Sequence, residues 1–284
     1  MLTALDLCCG AGGWECAARG LPIRFQAAID WEQGCCLTTK YNHPEVPVVC
    51  GDVTRLPIGA AVRALDLVLG AIPCQEISVA RNNVPLSEVA LAKWHELLDG
   101  MLALIAEIKP RWWVIENVIQ MRRHLPIFVP QIVLDSAHWS GQRRRRIFVG
   151  DFPIPGPGQS LTLGDYLMPG PHIVTADTLR AQELIHRQWY RSGQKRVLDP
   201  GALAPTVTSA GCRHTRGYAV RAPDGRERAL SFAEAARLQG FPEDYIFVAP
   251  AGRAWKMVGQ AIQIDLGRAI LESIVEESKR ERVA

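Results

Sequence analysis

Apolar residues along this chain come in short unbroken runs, separated by longer stretches in which apolar and polar positions alternate with a helical period. The runs "LTALDLC" (2–8), "FQAAID" (25–30), "LDLVLGA" (65–71), "WWVIEN" (112–117) and "RIFVG" (146–150) read as strands. Several show no apolar–polar alternation, as expected of strands covered on both faces. The clearest helical pattern starts at Ser87, a predicted N-cap. It continues through Leu97, Leu98, Met101, Leu102, Ile105 and Ile108, and Pro110 ends it. Strand–helix alternation predicts an α/β fold with a mostly parallel sheet.

After Gly150 the texture changes. "DFPIPGPGQS" is rich in Pro and Gly and reads as a linker, and the chain to about Ala204 is polar, basic and weakly periodic. "LSFAEAARLQGF" then predicts a short helix, with Ser231 and Glu234 as a capping box and Gly240 as the stop. A last helix is predicted over about 260–280, fraying into "ESKRERVA". No internal repeat is present.

Composition narrows the class. The 284 residues are 48% hydrophobic and 21% charged, ordinary for a globular protein with a core. No uninterrupted apolar run is long enough to span a membrane, and the N-terminus lacks the basic start of a signal peptide. A cytoplasmic location follows as an expectation. The 8 cysteines include the adjacent pairs Cys8–Cys9 and Cys35–Cys36 but no C-x-x-C spacing, so no metal site is expected and the thiols are expected to be reduced. Charge is uneven: residues 1–139 carry 11 basic and 14 acidic side chains, and the remainder 21 and 15. The basic residues crowd into "GQRRRRIF" (141–148) and into 180–228, which suggests a polyanionic partner.

The candidate chemistry sits at predicted strand ends. "ALDLCCGAGG" runs a strand into Asp6 and then into Gly10 and Gly12, a turn whose bare backbone can approach a ligand at the sheet's carboxyl edge. The next strand ends in Asp30-Trp31, an acid for a ribose diol and a ring for an adenine. "GDV" adds Asp52 and Val53 one loop later. Three such strand ends favour a nucleoside-bearing cofactor. "LDLVLGAIPCQ" brings Cys74 to the same edge, and "WWVIENV" brings Glu116, an acid in an apolar setting whose pKa should be raised unless it is paired. A thiol and a carboxyl at neighbouring strand ends form a plausible pair for covalent catalysis.

Taken together and in order, these segments resemble the DNA (cytosine-5) methyltransferase family. "DLCCGAGG", "IDWE", "GDV", "GAIPCQEIS", "ENV", "GQRRRRIFVG", "RALSFAEAARLQGFP" and "KMVGQAIQIDLGRAI" match its motifs in family order over nearly the whole chain. The resemblance implies a Rossmann-like S-adenosylmethionine-dependent methyltransferase domain plus a small target-recognition domain. Residues 1–150 would form the catalytic and cofactor-binding part, 151–204 a linker and a recognition region reading a short site, and 205–284 the return with closing helices. It implies Cys74 as nucleophile, Glu116 on cytosine nitrogen 3 and the exocyclic amine, Arg146 on the cytosine carbonyl, and Arg144 organising the site. Asp6, Gly10, Gly12, Asp30, Trp31, Asp52, Val53, Pro73, Leu97, Gln260 and Ala261 would surround S-adenosylmethionine. Ser78, Gln142 and Thr206 would face the nucleic acid, a double-stranded DNA whose target base must be flipped out. Arginines near the pocket are expected to lower the Cys74 pKa, and a monomer is expected.

The chain departs from the family pattern at Cys8, where an aromatic is usual, at Glu76–Ile77, at "WSGQ", and at Gln260, where Asn is usual. Three other readings stand beside an active DNA enzyme: a methyltransferase for RNA (tRNA) cytosine, a catalytically silent DNA-binding relative, and use of a modified sulfonium donor.

Overall fold

The computed structural model describes residues 1–55, 65–74, 77, 87–168, 196–209 and 218–283. The predicted strands form where the apolar runs lie: β1 (Leu2–Leu7), β2 (Ile23–Asp30), β4 (Leu67–Ala71), β5 (Trp112–Asn117) and β7 (Arg145–Asp151). Two further strands, β3 (Val48–Cys50) and β6 (Gln131–Asp135), complete a seven-stranded sheet of order β3-β2-β1-β4-β5-β7-β6. All neighbouring pairs from β3 to β5 are parallel, while β7 runs antiparallel to both β5 and β6. The mostly parallel expectation therefore holds, with one reversed strand near the edge.

The absence of alternation within the runs has its cause in two cores. Leu2, Ala4, Leu67, Leu69, Trp112, Val114 and Phe148 point into one buried cluster. Leu5, Leu7, Val68, Ile115, Ile147 and Val149 point into the other. Successive side chains of a strand alternate between faces, and here both faces are covered. Helix α3 (Glu88–Ile108) covers the second face with Trp94, Leu98, Met101, Ile105 and Ile108. Ser87 caps it as predicted, its side chain accepting from Ala90 N at 3.1 Å. Helix α1 (Gly13–Ala17) and the C-terminal helix cover the first face with Trp14, Ala17, Ile270, Leu271 and Ile274.

Helix α2 (Gln33–Asn42) links β2 to β3. A smaller sheet of order β10-β9-β8 is formed by β8 (Arg196–Leu198), β9 (Tyr218–Arg221) and β10 (Glu227–Arg228). Helix α4 (Phe232–Leu238) carries the predicted box: Ser231 Oγ accepts from Glu234 N, and Ser231 N donates to Glu234 Oε2 at 2.9 Å. The last helix expected over about 260–280 is α6 (Ile264–Val283), and a further helix, α5 (Ala251–Gln260), precedes it across Ala261–Gln263. The tail expected to fray is helical to Val283. Half of the expected recognition region, residues 169–195, lies outside the described residues, as do Ser78 and Glu76.

Candidate active site

Between β1 and β4 the sheet order reverses: the chain winds outward through β2 and β3, then returns to start β4 on the other side of β1. Open α/β sheets bind ligands outside the carboxyl ends of strands at such a switch point. Two adjoining cavities open there, sharing Cys8, Asp30, Trp31 and Pro73 as a common wall. The larger, about 550 Å³, is also lined by Asp52, Val53, Trp94 and Leu97. The smaller, about 140 Å³, is lined by Gly10, Cys74, Glu116, Arg144, Arg146, Gln260 and Ala261.

The smaller cavity holds the reactive groups. Cys74 lies three residues beyond β4, on a loop pinned twice: Asn117 Nδ2 donates to Ile72 O at 2.9 Å, and Trp94 Nε1 donates to Pro73 O at 3.0 Å. Glu116 pairs in register with Ala71, so its carboxyl stands beside the entry to that loop. Arg146, on β7, reaches across with Nε 3.1 Å from Glu116 Oε1. Burial raises the Glu116 pKa, and Arg146 and Arg144 only partly offset it. Burial also raises the Cys74 pKa, against the downward pull of the same two arginines. The arginines act in the expected direction, but the thiol's net shift is upward, because desolvation of a thiolate outweighs them.

Several other expected residues sit differently from the sequence reading. Arg144 is buried, and its guanidinium donates to three backbone carbonyls: Val207 O (2.9 Å), Gly259 O (3.1 Å) and Ala261 O (2.9 Å). It is a strut beside the cavity, and burial lowers its pKa to about 9. Gln142 has no exposed surface. Its amide donates to Gln239 Oε1 (2.8 Å) and Leu238 O (3.1 Å) and accepts from Val207 N (3.0 Å), so no face is left for a nucleic acid. Thr206 is half-buried and donates to Arg143 O at 2.8 Å.

Asp6 is fully buried beneath the glycine turn and lines neither cavity. It faces Glu15 of α1, a residue the sequence reading passed over; neither carboxyl finds a donor among the described residues. Burial and mutual repulsion raise the Asp6 pKa well above the usual carboxylate range, and burial lifts Glu15 to about 7. Gly10 does face the cavity, but Gly12, at φ +78°, serves packing: a Cβ there would stand 2.7 Å from the Tyr245 hydroxyl.

Several residues expected on the cofactor side line the larger cavity. Trp31 is 74% exposed at the junction of the cavities, an expensive exposure for an indole in a folded chain. Asp30 holds the turn itself, accepting from Gly10 N (2.9 Å) and Glu32 N (2.8 Å). Asp52 is fixed by Thr54 N and Oγ1. Val53, Pro73 and Leu97 supply apolar walls. A cavity of about 550 Å³ is of ordinary size for a small-molecule site, and an exposed ring, apolar walls and carboxylates suit an adenosine. Glu32 also lines the smaller cavity; the sequence signal was its place right after Asp-Trp.

A switch-point cleft with a thiol, a carboxyl and an arginine at one end and a larger, mostly apolar cavity at the other suits a transferase with a nucleoside-bearing cofactor. Residues 2–135 and 170–276 match the family model for C-5 cytosine-specific DNA methylase, and the chain belongs to that family. It is an S-adenosylmethionine-dependent DNA (cytosine-5) methyltransferase. The type II methyltransferase M.NlaX of Neisseria lactamica is 25% identical over 96% of this chain and 96% of its own length. M.HpaII of Haemophilus parainfluenzae is 22% identical over 97% and 89%. Among solved structures, a prophage-encoded DNA modification methyltransferase from E. coli superposes with a TM-score of 0.70 at 17% identity, covering 98% of this chain and all of that one. The S. pombe Dnmt2 methyltransferase does so with 0.71 at 16%, covering 98% and 100%.

Proposed function

We propose that this enzyme methylates carbon 5 of a flipped-out cytosine in double-stranded DNA, with Cys74 as covalent nucleophile. The observation that carries this reading is the meeting of Cys74, Glu116 and Arg146 on one cavity wall, from β4, β5 and β7. Trp31, Val53, Pro73 and Leu97, with Asp30, Glu32 and Asp52 around them, would hold S-adenosylmethionine, which would supply an electrophilic methyl group. The raised pKa of Glu116 lets it hold a proton at cytosine nitrogen 3, and Arg146 both steadies that carboxyl and offers donors to the base. The Cys74 thiolate adds to carbon 6, which makes carbon 5 electron-rich and ready for alkylation. Loss of the carbon 5 proton then expels Cys74. Arg144 positions: it ties β7 to the segments around Val207 and Ala261. A monomer in the cytoplasm is the form in which we place it. The intact Cys74, Glu116 and Arg146 disfavour a silent binding protein.

Bisulfite sequencing of a plasmid carrying the gene should show conversion-resistant cytosines at a short recurring site in the wild type and none with Cys74→Ala. A duplex containing 5-fluorocytosine, given S-adenosylmethionine, should trap a covalent complex. Absence of that adduct from active protein would overturn the covalent role. Methyl transfer to RNA but not DNA would overturn the DNA assignment.

A further inference from the structure

The strand that carries Asp30 and Trp31 is flanked by two thiols that the methylation chemistry does not use. Cys36, on α2, is buried, and its Sγ donates to Asp30 O at 3.2 Å. Cys50, the last residue of β3, is exposed, and its Sγ donates to Trp31 O at 3.8 Å. Asp30 O also accepts from Gly51 N at 2.8 Å, so the Cys36 sulfur and the backbone next to Cys50 meet at one carbonyl oxygen. Cys50 pairs in register with Asp30, and β3 is the edge strand of the sheet, so a solvent-borne reagent reaches Cys50 without opening the core. Neither cysteine lines a cavity of the active site.

We propose that Cys36 and Cys50 form a redox-sensitive pair whose oxidation to a disulfide alters the Asp30–Trp31 wall. That functional consequence rests on the reading of Trp31 as the cofactor's aromatic wall; the crosslink itself does not. The oxidant is a hydroperoxide or a low-molecular-weight disulfide. With hydrogen peroxide, the Cys50 thiolate attacks one peroxide oxygen, giving a sulfenic acid and releasing one water. The Cys36 sulfur then attacks the Cys50 sulfur, the S–O bond breaks, and a second water leaves. Two thiols and one peroxide thus become one disulfide and two waters. With a small disulfide, Cys50 first forms the mixed disulfide, and Cys36 resolves it by expelling the second small thiol.

Order and consequence both follow from placement. Cys50 reacts first because it is exposed, whereas Cys36 is buried. Once the sulfurs are joined, neither carries a proton, so both S–H donations to the carbonyls of Asp30 and Trp31 are lost together. Those carbonyls belong to the two residues that close the junction between the cavities.

The test uses the full-length protein treated with equimolar hydrogen peroxide or with oxidised glutathione, alkylated, digested and mapped by mass spectrometry. A peptide pair joined through Cys36 and Cys50, two hydrogens lighter than its reduced parts and missing from Cys50→Ser, is the expected result. Free alkylated thiols at both positions, or Cys50 joined elsewhere, overturn the proposal. Calorimetric titration with S-adenosylmethionine reads the consequence, because turnover would also report oxidation of Cys74. Affinity should fall about tenfold on oxidation, return with dithiothreitol, and stay constant in Cys50→Ser. An unchanged affinity in crosslinked protein overturns the effect on the wall. Reduced wild type that fails to bind S-adenosylmethionine counts against the functional reading and leaves the mass result standing.

Discussion

Cys74 shows how two opposing effects on one side chain are decided by size. Arg146 and Arg144 favour the thiolate, burial disfavours it, and burial wins, so the resting group is a thiol. The thiolate fraction therefore grows as pH rises. Trapping of the 5-fluorocytosine duplex should accelerate toward alkaline pH, and Arg146→Met should move that profile to higher pH while slowing it roughly 100-fold. Single-turnover rates across pH check both. The Asp6–Glu15 pair gives the opposite dependence, in stability. Between the ordinary carboxylate value and about 7, the folded chain keeps a proton that the unfolded chain has lost, so stability falls as pH rises through that window. Glu15→Gln should change the melting temperature little near pH 5 and raise it near pH 8, by the equivalent of about 1–3 kcal/mol. Trp31→Ala should weaken S-adenosylmethionine about tenfold by titration with little change in maximal rate if, as proposed, the ring stacks on the cofactor's adenine away from the reacting atoms.

At the scale of an element, the loop leaving β4 is the part under tightest control. Pro73 restricts the backbone just before Cys74, and Asn117 and Trp94 hold the carbonyls of Ile72 and Pro73 from a strand and a helix. A displacement of about 1 Å at a reacting centre can cost 100-fold in rate. Asn117→Ala should therefore slow methylation by about 10- to 100-fold while leaving S-adenosylmethionine affinity within about twofold. It should cost about 1–3 kcal/mol of stability by orphaning a buried carbonyl. Stopped-flow kinetics beside urea denaturation separate the two effects. Two of the elements that sequence missed have local causes: β3 has only three residues, too short for a period to register, and α5 contains Gly252 and Gly259.

Over the whole molecule, the middle and last thirds of the chain are joined through a small set of buried polar side chains. Arg144 binds carbonyls on both the 207 and the 259–261 segments, Gln142 binds Gln239, and Gln239 Nε2 donates to Ala261 O at 2.9 Å. Helix α6 returns to pack on α1, where Gly267 faces Ala17 and Trp14. Arg144→Met should cost about 3–5 kcal/mol, since three carbonyls lose a charged donor together; a lower denaturant midpoint at unchanged slope would show it.

What the sequence by itself determined is the order of the strands' apolar runs, the caps of α3 and α4, and the placement of Cys74, Glu116 and Trp31 at the carboxyl edge. Those features depend on local pattern: period, cap chemistry, and the residue that follows an apolar run. Only the tertiary structure decided which way a polar side chain turns. Gln142, Arg144, Asp6 and Gly12 stand in the expected motifs, yet their surroundings are Gln239, Ala261, Glu15 and Tyr245. Three of those four partners lie more than 90 residues away along the chain, and Glu15, though close, meets Asp6 only once α1 has folded back over β1. Burial and hydrogen-bond satisfaction are set by such contacts, so no local pattern could distinguish a group facing substrate from one bracing the fold behind it.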